Sequence, residues 1–191
     1  VESSLLANNA AVVGDTSTAR ELGGIEAWIA TNDNFGATGA SPVGADGTAA
    51  RTDGTQRAFL EADLKSVLAG TFDSGGDPNM VMVGSFNKQA MSAFSGNATR
   101  QTDSEDMKLV TAIKIYVSDF GDLQVQTNRF QRSRSALVLD MDFWAMATLR
   151  EFSQEPLAKT GDSDRVQLLS EYTLEARNEA ASGGVFDLTT A

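Results

Sequence analysis

The chain has 191 residues, 41% of them hydrophobic and 21% charged, enough apolar material for a packed core and against wholesale disorder. It contains no Cys and no His, which excludes disulfides, thiolate metal sites, Cys nucleophiles, the Ser-His-Asp triad and nearly every zinc site. Its 15 Lys and Arg stand against 26 Asp and Glu, a net charge of -11 that repels phosphate backbones and anionic membranes and leaves protein surfaces, or further copies of the chain, as partners.

In chain order, Glu2 to Val13 is helix-compatible, with Leu5, Leu6, Val12 and Val13 on one stripe and Gly14 as its stop. It has no convincing cap and reads as the end of a longer helix, which makes the chain a fragment. A second short helix is expected from Arg20 to Ala30, with Ile25, Trp28 and Ile29 on one face and Gly23-Gly24 weakening the first turn. Phe35 to Thr55 is rich in Gly, Ala, Ser, Thr and Asp without periodicity. A loop of that length inside a compact domain is expected to pack and to serve as a contact surface.

Leu60, Leu64, Val67 and Leu68 form one helical stripe between Phe59 and Leu68, with Gly70 near its C-cap. Asp73 to Pro78 is turn chemistry, and Met80 to Val83 reads as a buried strand. Ser85 is expected to cap a helix carrying Phe86, Ala90, Met91 and Phe94 and ending at Gly96. The period then changes to two. Ile113, Ile115 and Val117 alternate with Ala112, Lys114 and Tyr116, and Leu123, Val125 and Thr127 with Gln124, Gln126 and Asn128, a hairpin turning at Asp119 to Asp122. Ala136 to Leu139 gives another buried strand and Phe143 to Leu149 one more. For Val166 to Ala180 composition favours helix, but Tyr172, Leu174 and Ala176 alternate with Thr173, Glu175 and Arg177, and strand is chosen. The sum is an α+β chain without internal repeats.

Few residues invite chemistry. Asp140 and Asp142 would project on one face of a strand, as paired carboxylates do in glycosidases and divalent-cation sites, but strand ends and turns carry such residues more often. Asp103, Glu105 and Asp106, and Asp73 with Asp77, lack the alternate ligand positions and essential Gly of a calcium loop. Asn97-Ala98-Thr99 is a formal glycosylation sequon. Lys159-Thr160-Gly161-Asp162 lacks phosphate-loop spacing. Arg129, Arg132 and Arg134 form the one basic cluster and read as a salt-bridging loop between subunits. Glu171, Glu175 and Glu179 are outward charge on either a helix or a strand. No catalytic, cofactor-binding or metal-binding residue is assigned, and no cofactor is expected. A carboxylate hydrolase using Asp140 and Asp142 and a tail, decoration or carbohydrate-binding module are the alternatives to a structural role.

The last third carries a more specific set: Leu139-Asp140-Met141-Asp142-Phe143-Trp144, Leu149-Arg150, Leu157 to Asp162, Glu171-Tyr172-Thr173-Leu174-Glu175 and Asn178 to Ala181. With Gly23-Gly24 and Trp28, the Leu60 to Leu68 helix and Gly75-Gly76-Asp77-Pro78 in order, it resembles the C-terminal part of a tailed-phage major capsid protein. The resemblance implies an HK97-like fold. Residues 1–34 would be the end of the spine helix and a peripheral-domain segment. Residues 35–149 would be the apical domain, and 150–191 the return to the peripheral sheet. The N-terminal arm and extended loop would be missing. It further implies a non-enzymatic protein found in the virion, and in the host cytoplasm before assembly. Its partners would be copies of itself, as pentamers and hexamers in an icosahedral shell, with scaffold, portal or decoration proteins. Neither a membrane nor a specific nucleic-acid sequence is expected to bind it.

Overall fold

The computed structural model describes residues 2–94 and 114–190. A six-stranded mixed sheet forms its centre, built from β1 (Asn32–Asn34), β2 (Met80–Val83), β3 (Ile115–Ser118), β4 (Gly121–Thr127), β5 (Ala136–Leu139) and β8 (Gly183–Val185) in the order β1-β8-β5-β2-β4-β3. β1 with β8 and β2 with β4 are parallel, and the other neighbours antiparallel. β6 (Trp144–Leu157) and β7 (Arg165–Ala176) pair only with each other, in a long antiparallel hairpin.

Both faces of the sheet are covered, which explains why β5 is apolar at every position. Ala136 and Val138 point to one face, where α3 (Glu61–Asp73) and α4 (Ser85–Ser92) bring Leu64, Val67, Leu68 and Met91. Leu137 and Leu139 point to the other, against Leu6, Ile25, Ile29, Phe186 and the hairpin root at Trp144 and Leu174. Strands buried on two sides lose the alternation of a half-buried strand.

Of the sheet's strands, β2, β5 and the hairpin at 115–127 agree with the expected elements, as does the strand choice for 166–176, while β1 and β8 were not expected and β6 runs on past Leu149 to Leu157; Gly96, Ala112 and Ile113 lie outside the described residues. Several boundaries differ. The first helix is α1, Glu2–Leu5, and does not continue to Val13. The Asn8 and Asn9 side-chain amides donate instead to the carbonyls of Arg51 and Leu22, the local competition that makes Asn a poor helix interior, and Val13 is fully outside. The second helix is the single turn α2, Ile25–Trp28. A Cβ on Gly24 would lie 1.9 Å from the Ala7 carbonyl oxygen, so this glycine pair serves close backbone packing. α3 passes through Gly70 and stops before Gly75, which has φ +80; Leu60 precedes the helix and is exposed. Gly84 occupies the N-cap of α4, with Ser85 its first residue. In β3 the buried residue is Tyr116, whose hydroxyl donates to Glu61 Oε1 at 3.0 Å, while Ile115 and Val117 face outward.

Candidate subunit interface

The candidate acidic residues do not converge. Asp140 is buried after β5 and caps the 3-10 turn Met141–Phe143, accepting from the Asp142 N–H at 3.2 Å and the Asp77 N–H at 3.1 Å. Asp142, Asp77 and Asp73 are exposed. The strand ends at Leu139, before both residues, so Asp140 and Asp142 do not share a strand face and sit instead in the turn that follows, the commoner place for such residues. Glu171 pairs with Arg150 across the hairpin at 3.3 Å, and Glu175 with Arg177 at 2.9 Å. Glu179 leaves that row and accepts from the N–H groups of Ala30 and Thr31. Lys159 pairs with Asp164 at the exposed hairpin tip. Asp103, Glu105, Asp106 and Asn97 to Thr99 lie outside the described residues. Among the described residues no cluster of three or more acidic side chains could hold a metal ion.

Two of the three clustered arginines pair within the subunit. Arg132 reaches the fully buried Glu26 at 3.1 Å and also Asp53, while Arg134 reaches Asp187 at 2.9 Å. Arg129 is exposed. A third guanidinium, Arg51, bonds Asp33 at 2.7 Å and the Ile29 carbonyl at 3.1 Å and stacks 3.3 Å from the Phe186 ring centroid. Asp187, at φ 59, is the hub: its carboxylate also accepts from the N–H groups of Gly36 and Gly54 at 3.1 and 2.8 Å. Asp visits this left-handed region more readily than most residues. Arg51, Asp53 and Gly54 all belong to the Phe35 to Thr55 loop, so this network, with an isolated Ala40–Thr52 bridge, orders it without regular structure. Burial pushes the Glu26 carboxyl above its ordinary range, with the Ser135 hydroxyl and Arg132 opposing. Burial acts the same way on Asp53, but Arg132 and Arg134 outweigh it and hold that carboxyl below its usual value. The spacing of Arg132 and Arg134 is visible in the sequence; their carboxylate partners, 53 to 106 residues away, are not.

The surface suited to contact is the hairpin. Every residue from 148 to 168 is exposed. Strand alternation puts Val166, Leu168, Ser170, Tyr172, Leu174 and Ala176 on one face of β7, all uncharged, while Arg165, Glu171 and Glu175 fall on the other. Opposite the uncharged row stand Trp144, Met146, Thr148, Gln154 and Pro156 of β6. Two register shifts in β6, between Thr148 and Arg150 and between Arg150 and Ser153, keep the rows in phase, and in this stretch Leu149 and Phe152 are 78% and 72% exposed. At the root the uncharged face runs into an open groove of about 300 Å³ whose walls include Leu5, Ile25, Met82, Met141, Trp144 and Met146, with no charged residue among them. A two-stranded ribbon standing off the body does no work for the described core of its own subunit beyond its root at Trp144, Leu174 and Ala176. Its sequence keeps apolar side chains that no other described residue covers.

No helix among the described residues is long and apolar enough to cross a membrane. No curated protein matches the chain. Residues 1–189 match the SU10 major capsid protein family, and the chain therefore belongs to that family: it is a structural phage major capsid protein, of a kind that self-associates into the shell of the virion.

Proposed function

We propose that this capsid protein has the HK97-like fold and tiles a closed icosahedral shell around a DNA genome as pentamers and hexamers. In this reading residues 35–149 form the apical body, while 1–34 and 150–191 belong to the peripheral domain. The protein has no catalytic role, and a scaffold, portal or decoration protein meets the shell from outside this chain.

The observation that carries the reading is the division of labour in the molecule. One part is a two-faced sheet locked by buried ion pairs, and the other is a projecting hairpin with an uncharged face and little internal purpose. A shell subunit needs both, a rigid tile and a reach toward its neighbours. The excess of acidic residues fits a container that confines DNA without gripping it.

The test is a cryo-EM reconstruction of particles assembled from this protein. Density in which residues 35–149 form the apical body and the hairpin lies across a subunit boundary supports the fold and the tiling. Density with the hairpin free in solvent and the subunits joined through another fold overturns it.

A further inference from the structure

The hairpin's distal half poses a physical problem within one subunit. A two-stranded ribbon in water is marginally stable at best, yet this one continues for 14 residues in β6 and 12 in β7, with two apolar side chains of the same row, Val166 and Leu168, 47% and 60% exposed. At the other end of that row lies an open apolar groove. The tip cannot reach back into it, because along β7 Leu168 stands six residues, about 20 Å, from Leu174 in the groove wall. The residues that need cover and the groove that needs filling are on one chain but cannot meet within it.

We propose that Pro156, Val166 and Leu168 of one copy's hairpin seat in the groove at the hairpin root of a second copy. The occupant follows from charge. Copies of a chain with net charge -11 repel one another, and contact between them is least costly where neither surface contributes charge. The uncharged row of β7 and the groove are two such surfaces, and they are complementary, a ridge of small apolar side chains and an apolar hollow. The contact is heterologous, tip to root, so it passes from copy to copy and does not close on a pair unless the rotation closes a ring. The inference rests on the capsid reading, since a second copy is the partner that family membership supplies.

Because the chain has no Cys, two single substitutions test the contact cleanly. Leu168→Cys and Met141→Cys proteins, each exposed at its new thiol, are mixed, assembled and oxidised. A disulfide needs Cα atoms within roughly 4.4–6.8 Å, so linked Leu168–Met141 pairs between chains, absent when either variant is oxidised alone, are the expected result. A Leu168→Asp variant should fold with unchanged thermal stability and associate roughly tenfold or more weakly, the effect of burying an unpaired charge at a contact. Assembly without the mixed cross-link, or linkage of Leu168→Cys chains to each other, overturns the tip-to-root contact and leaves the capsid reading intact. Wild-type chain that never sediments faster than a monomer overturns both.

Discussion

Arg51 and Asp33 meet at 2.7 Å with their side chains 1% and 6% exposed, one from the long Gly-rich loop and one from β1 at the edge of the sheet. The pair joins the least regular part of the molecule to the most regular. Arg51 also covers the face of Phe186 and bonds the Ile29 carbonyl, so one guanidinium touches the loop, the sheet and the segment after α2. Buried pairs contribute little net stability over an apolar replacement, but breaking one leaves an uncompensated charge.

Arg51→Ala should therefore destabilise the subunit by about 3–5 kcal/mol, read as a fall in the urea midpoint. Loss of order in the 35–55 loop should accompany it, seen as new proteolytic cleavage there. An unchanged midpoint would mean that the loop is not held by this pair.

Glu26 makes stability fall as pH rises. Its folded carboxyl is pushed above its ordinary value of 4.5 by burial, so between the unfolded and folded values the native state holds more protons than the unfolded one, and stability is lost through that window. Asp53 acts oppositely: its carboxyl is held below 3.8 by its arginines, so its contribution is lost as pH falls through acid values. Glu26→Gln, which mimics the protonated side chain, should equal wild type near pH 4 and be the more stable of the two at neutral pH. Thermal melts at the two pH values check this, and a variant less stable at neutral pH would show that ion pairing with Arg132 outweighs burial.

Gly24→Ala should cost about 1–3 kcal/mol, the range for forcing a methyl into a packed site. The added Cβ would sit 1.9 Å from the Ala7 carbonyl oxygen. The lost contact is the backbone bond from the Gly24 N–H to the Asn9 carbonyl at 2.9 Å. Thermal denaturation reads the cost, and Gly75→Ala, which meets nothing within 4 Å but has φ +80, separates backbone strain from collision.

Leu64→Ala should cost about 2–5 kcal/mol as a large-to-small change at a fully buried position between α3 and the sheet. Leu60→Ala, one turn earlier and exposed, should stay within about 0.5 kcal/mol of wild type. Equal effects at the two positions would contradict the observed face of α3.

Local pattern was enough to read β2, β4, β5, the 115–127 hairpin and β7, because each carries its own periodicity or apolar run. It failed where long-range bonds decide. The Glu2 to Val13 stripe looks helical until Asn8 and Asn9 are seen to bond Arg51 and Leu22. In β3 the larger apolar set, Ile115 and Val117, turned out to face outward because the Tyr116 hydroxyl has a partner in Glu61. The three arginines are visible as a cluster, but that Arg132 and Arg134 reach Glu26, Asp53 and Asp187 depends on contacts 53 to 106 residues apart. The uncharged row of β7 is legible as strand alternation; that its distal residues Val166 and Leu168 are left exposed among the described residues is not.

The measurement closest to the central claim is sedimentation with negative-stain microscopy of the chain at raised concentration. Closed shells, tubes or capsomer-sized rings, dissolved by Leu168→Asp, are the expected result. A species that stays monomeric at every concentration, with Leu168→Asp indistinguishable from wild type, would contradict a shell-forming subunit.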